Sequence, residues 1–188
     1  MQRKLTKNVV TSILCASSLF VVQSVANAAE LPESSVSLFL GKNSMTKSDW
    51  EPVNDQSEIG VVLDLGRADS VVDLVAGYFA ASDKAVGSIE SEASEFAVGA
   101  RKVFRGDSGI APFAEGGLAY ISVKRSTASL SDSDNAVGFW LGGGVNFAVG
   151  DSVMVGLEAR YSAADVTVFN VNRTAGGTHI GVTVGFGL

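Results

Sequence analysis

The stretch 136–162, AVGFWLGGGVNFAVGDSVMVGLEARYS, constrains the fold more than any other part of the chain. Its second half places Val153, Val155, Leu157, Ala159 and Tyr161 on one parity and Met154, Gly156, Glu158, Arg160 and Ser162 on the other. A period of two marks a β-strand, whose successive side chains point to opposite faces. The first half does the same, with Val137, Phe139, Leu141, Gly143, Val145 and Phe147 set against Gly138, Trp140, Gly142, Gly144 and Asn146. A turn as short as Val149, Gly150 and Asp151 joins the two. One face of this hairpin is apolar and the other carries charge.

The alternation recurs along the chain in eight segments, roughly 35–42, 58–66, 71–80, 93–104, 111–123, 136–148, 152–163 and 178–188. Connections after the second, fourth and sixth are short and turn-like: 67–70, 105–109 and 149–151. Those after the odd-numbered segments read as longer polar loops, such as 43–57, 124–135 and 164–177. Short turns at one end and long loops at the other fit the periplasmic and external ends of an outer-membrane barrel, for which eight is the smallest usual even strand number. Both termini then fall on the periplasmic side.

The first 28 residues read as a secretion signal. Arg3, Lys4 and Lys7 precede a mostly apolar run, and Ala26-Asn27-Ala28 fits an A-x-A cleavage site. Cys15 follows Leu14 inside the run, a poor match to a lipoprotein site. Residues 29–188 are then one barrel domain. Removing three of the 14 basic residues leaves 11 against 20 acidic ones, a formal charge of -9 and no cysteine for a disulfide. Mean hydropathy is +0.28, yet no apolar run beyond the signal reaches the roughly 20 residues of a spanning helix. Hydrophobicity spread by alternation suits a membrane barrel. The acidic excess speaks against nucleic acid, which needs clustered Lys and Arg.

On the apolar parity, Tyr78, Tyr120 and Tyr161 recur at spacings of 42 and 41 near one end of the strands, and Phe104, Phe147 and Phe186 at 43 and 39 near the other. Two aromatic girdles flanking an apolar band are expected, because aromatic rings favour the membrane-water boundary. The glycine-rich strand, the tight turn at Gly150-Asp151 and the following strand ending Glu158-x-Arg160-Tyr161 resemble the OmpA and OmpX type of small outer-membrane β-barrel. The resemblance implies an all-β fold, an eight-stranded antiparallel up-and-down transmembrane barrel. It further implies a monomer surrounded by outer-membrane lipid and lipopolysaccharide. The last strand, with Ile180, Val182, Val184, Phe186 and Leu188 outward, resembles the signal read by the barrel-assembly machinery, although it ends on Leu188 rather than an aromatic residue.

The inward parity carries Asp64, Asp73, Arg101, Glu115, Asn146, Met154, Glu158 and Arg160. A barrel this narrow is just filled by side chains. Arg101 is therefore expected to pair with nearby carboxylates, and Arg160 with Glu158, in a lumen network that orders the barrel rather than conducting. Ser162 and the only histidine, His179, fall close on the inward face with Glu158 down the same strand, the residue types of a nucleophilic triad. The lone histidine at a strand end beside a loop reads more simply as a polar rim residue. No cofactor or metal cluster is expected, since one His and no mature Cys leave only carboxylates. Three functions remain: a structural or surface-interaction protein working through its external loops, a small pore, and a lipid-modifying enzyme. The first is favoured, with Trp50 as an exposed anchor and residues 126–135 as a Ser/Asp-rich tip.

Overall fold

The computed structural model describes residues 31–67, 70–85, 89–105 and 109–188, with no placement for the Lys47 side chain. The proposed signal and the turn residues 68–69 and 106–108 lie outside the described residues. Eight strands follow in order: β1 (Ser34–Ser44), β2 (Asp55–Leu65), β3 (Asp73–Ala85), β4 (Ile89–Val103), β5 (Ile110–Ser126), β6 (Ser131–Ala148), β7 (Val153–Val168) and β8 (Val171–Gly187). One short helix, α1 (Lys47–Trp50), interrupts the β1–β2 connection. Each strand pairs antiparallel with its sequence neighbours, and β1 pairs with β8 to close the barrel. Through the lipid-facing part of the wall closure pairs the strand edges, which a sheet in hydrocarbon requires because no water is there to do so.

The parity of the sequence becomes the inside and outside of the wall. On β7, Val155, Leu157, Ala159 and Tyr161 face out while Met154, Gly156, Glu158, Arg160 and Ser162 are buried in the lumen. Leu157 lies between Val145 of β6 and Val182 of β8. The outer face is an apolar band of Leu, Val, Ile and aromatic side chains, about half exposed. Tyr78 stands opposite Phe96, and Phe96 opposite Tyr120, so a row of rings crosses three strands. Phe139 continues it toward Tyr161, with ring centroids 6.3 Å apart. Toward the end bearing the termini, Phe104 and Phe186 face outward and Phe147 is half-buried.

The connections depart from expectation. Stretches read as loops at the end away from the termini are largely strand. β5 runs to Ser126 and β6 starts at Ser131, while β7 and β8 meet at a two-residue turn, Phe169-Asn170. Both turn residues have positive φ, 54° and 57°, the type I′ geometry whose twist matches a right-twisted hairpin. The alternation in these stretches is written in Ser, Asp, Thr and Asn, because beyond the lipid no face has to be apolar. Strand lengths are therefore uneven, from 11 residues in β1 and β2 to 17 and 18 in β5 and β6.

Candidate functional site

The lumen is built in layers. Nearest the termini, Asp73 accepts from Arg105 at 3.2 Å. Above it the buried Arg101 donates to Asp64 at 3.0 Å and to Glu115 at 2.7 Å, and Glu158 stands 3.8 Å away. One guanidinium thus faces three carboxylates. It also lies 4.3 Å from the centre of the Phe113 ring, a favourable approach because the ring face is negative. Asn146 and Met154 are buried close by, lining the mouth with Asp64 and Arg105.

The next layer is aromatic. Phe39 and Phe79 pack edge to face with centroids 5.5 Å apart. Inward-facing glycines make room for them: a Cβ on Gly181 would sit 2.5 Å from the Phe39 ring, and one on Gly77 2.6 Å from the Phe79 ring. Trp140 is buried at the same level and donates to the Val98 carbonyl at 3.4 Å.

A second polar layer lies over these rings. Arg160 does not pair with Glu158 as the sequence suggests. Its guanidinium meets the Glu95 carboxylate and stacks 3.7 Å above the Phe79 ring centre. Glu95 escaped the sequence reading because the lumen partner of a strand residue is set by barrel register, not by sequence distance. The Ser162 hydroxyl contacts Glu95 Oε2 at 2.7 Å and His179 Nε2 at 3.0 Å, and His179 Nδ1 contacts Glu58 at 2.9 Å. The carboxylate beside the histidine is Glu58, not Glu158. Nor is His179 a rim residue: it is 1% exposed. Two hydrogens must lie on the two contacts at Ser162 Oγ, and the hydroxyl supplies one; the other comes from Nε2–H or from the Glu95 carboxyl. The serine is thereby held between two partners with no open face toward a substrate.

The far mouth is closed by the β1–β2 connection. Trp50 is fully buried rather than exposed, and its indole N–H donates to the Thr174 carbonyl at 2.8 Å. Met45 and Trp50 join Val123, Val166, Val168 and Ala175 in an apolar cap. Below it, Gln56 donates to Ser91 at 2.9 Å. Three voids spaced along the lumen are about 10 Å³ each, room for about one water apiece.

Two arginines and two aspartates work at this rim. Arg125 donates to the carbonyls of Asp49 at 3.1 Å and Glu51 at 2.9 Å, and Arg173 also reaches the Asp49 carbonyl. Backbone pairing of β6 with β7 ends at Phe139 opposite Ala163. Beyond it the carboxylates of Asp134 and Asp132 accept the backbone N–H groups of Thr167 and Phe169, each at 2.6 Å. These bonds stabilise the ionised form, and the amides of Thr167 and Asn135 hold the Asp134 carboxyl below the usual carboxylate value.

A closed eight-stranded barrel, apolar outside and ionic inside, is the architecture that the family model described as "Outer membrane protein beta-barrel domain" requires, and that model matches residues 12–187. The chain belongs to this family. It is an integral outer-membrane β-barrel. Comparison with curated proteins gives no match. Among solved structures the barrel is similar to Neisserial surface protein A, at 12% identity and a TM-score of 0.61, covering 82% of this chain and 96% of that one. It is similar also to Ail, the attachment invasion locus protein of Yersinia pestis, at 16% identity and TM-score 0.55, covering 82% and 99%. A third is OprG from Pseudomonas aeruginosa, at 12% identity and TM-score 0.60, covering 86% and 99%. At such identities the likeness is one of fold.

Proposed function

We propose that this barrel is a structural or surface-interaction protein whose work is done at the end away from its termini, which faces the cell exterior. The observation that carries this reading is the filled lumen: ion-paired, aromatic, ion-paired and apolar layers follow one another from mouth to mouth. A pore would need a continuous wet path, and an enzyme an accessible nucleophile. The polar residues Asp64, Asp73, Arg101, Glu115, Asn146, Glu158 and Arg160 serve as internal packing, and the two sets of aromatics as girdles in the lipid boundary. Export by a signal ending at Ala28, insertion through the last strand by the barrel-assembly machinery, and a monomeric state in lipopolysaccharide-bearing membrane complete the proposal. Planar-bilayer recordings should show no channel openings. On intact cells, a Ser131→Cys variant should react with an impermeant thiol reagent and Ser152→Cys should not. Steady conductance would favour the pore, and reversed labelling would place the long strands on the periplasmic side.

A further inference from the structure

The lumen consumes its charges internally, but the rim does not. Every lumen arginine has a carboxylate within reach: Arg101 has Asp64 and Glu115, and Arg160 has Glu95. At the rim, Lys84 pairs with Glu90 at 3.7 Å and Lys124 with Glu92 at 3.6 Å. Arg125 and Arg173 break this rule. Their guanidinium groups converge on one backbone carbonyl, that of Asp49, and among the described residues no carboxylate lies within 4.0 Å of either. The Asp49 carboxylate is engaged elsewhere, by the Thr174 N–H at 3.1 Å and the Ser48 hydroxyl at 3.2 Å.

Two further observations favour an anion at this pair. Arg173 Nε is buried and has no acceptor, and a buried donor without a partner is costly to keep. The Arg125 guanidinium is also held below its ordinary value, first by burial and then by the like charge of Arg173. Two guanidinium groups held side by side repel each other, and an anion between them relieves that repulsion.

We infer that Arg125 and Arg173, strapped over α1 at the outer mouth, form a binding site for a phosphate-type oxyanion. Guanidinium forks suit such a group because several N–H donors are held in a plane and can bond two of its oxygens at once. The backbone carbonyls position the forks and leave their remaining N–H groups for the ligand. The inference rests on the reading of this end as the exterior working surface and adds the chemistry of what it meets: a phosphate, carried either on a lipid headgroup of the same leaflet or in solution.

The test uses the whole exported protein in phosphatidylcholine nanodiscs, with inorganic pyrophosphate as probe, titrated calorimetrically. The parent should bind, and Arg125→Gln and Arg173→Gln should each weaken binding about tenfold or more. Lys84→Gln, which removes a neighbouring charge already paired, should change it less than twofold. Because the glutamine variants also loosen the strap over α1, Arg125→Lys and Arg173→Lys are measured alongside. They keep the charge but lose the fork, and should fall between parent and glutamine variant, with tryptophan fluorescence unchanged. Lipopolysaccharide added to the discs separates the sources: a rise in the apparent pyrophosphate dissociation constant shows that a headgroup phosphate reaches the site, and no change assigns it to soluble phosphate. Equal binding by the parent and the Arg125→Gln/Arg173→Gln double variant, or an equal loss in Lys84→Gln, overturns the site. Conductance recorded on the same preparation keeps the two readings apart. A closed barrel that ignores pyrophosphate refutes the site alone, whereas a conducting barrel that binds it refutes the filled lumen alone.

Discussion

Removing the Glu95 carboxylate should reveal how much the upper ionic layer contributes. Glu95 accepts from the Arg160 guanidinium and lies 2.7 Å from the Ser162 hydroxyl. Arg160 is 3% exposed, and its Nε already lacks an acceptor. In Glu95→Ala the cation would keep its ring contacts, to Phe79 at 3.7 Å and Trp140 at 5.5 Å, and a longer-range attraction to Glu158. Breaking a buried pair by removing one partner costs about 3 to 5 kcal/mol. Contact with aromatic faces retains up to about 2 kcal/mol of the cation's favourable interactions, so the loss should lie near the lower end of that range. The double variant Glu95→Ala/Arg160→Met removes both charges and places an apolar chain over Phe79, so it should recover most of the loss. Urea unfolding of the barrel from lipid vesicles measures both, with Trp50 and Trp140 as reporters because both are buried in the lumen. If Glu95→Ala costs less than about 1 kcal/mol, or the double variant is no more stable than the single, Glu95 and Arg160 do not form a buried ion pair that leaves an uncompensated charge when broken.

Leu157→Arg places a cation on the outer face between Val145 and Val182, and the expected cost near the bilayer midplane is about 2 to 4 kcal/mol, read as a lower refolding yield in vesicles. Trp50→Ala empties a fully buried indole from the apolar cap and should cost about 3 to 5 kcal/mol, with faster proteolysis of the strap at 45–54. Asp134 has a folded-state value below its unfolded one of 3.8; its contribution is therefore complete above that value and lost as pH falls through the lowered one. The protection factor of the Thr167 amide, taken against the intrinsic exchange rate at each pH, should fall as the pH drops below about 4 in the parent and lose that dependence in Asp134→Asn.

The sequence disclosed most about the part of the barrel that lipid surrounds. There a side chain must be apolar on one face and can be charged on the other, so Val155 and Leu157 declare themselves against Glu158 and Arg160. Above the lipid this constraint ends, and 164–177 read as a loop although it forms most of a hairpin turning at Phe169-Asn170. Arg101 meets neighbouring carboxylates as parity suggests, but parity does not name the partners of Arg160 or His179. Arg160 finds Glu95, 65 residues away, and His179 finds Glu58, 121 residues away, because closure and stagger bring distant strands to one height. Trp50 reads as exposed because it sits in a polar connection. The bonds from Arg125, Arg173 and Thr174 to the α1 segment, with the Trp50 indole bond to Thr174 and the packing of Met45 and Trp50, turn that connection inward over the mouth.

The uneven strand lengths give the molecule a front and a back. β6 exceeds β1 by seven residues, 18 against 11, about 20 Å along the strand and roughly 15 Å in height after tilt. The β5–β6 side therefore rises as a parapet while the β1–β2 side stays low, with α1 lying across the step. Large molecules approaching from above meet the parapet first, whatever their chemistry. Seen from the membrane plane, the wall is lowest where the β1–β2 connection carries α1 and highest at the β5–β6 hairpin.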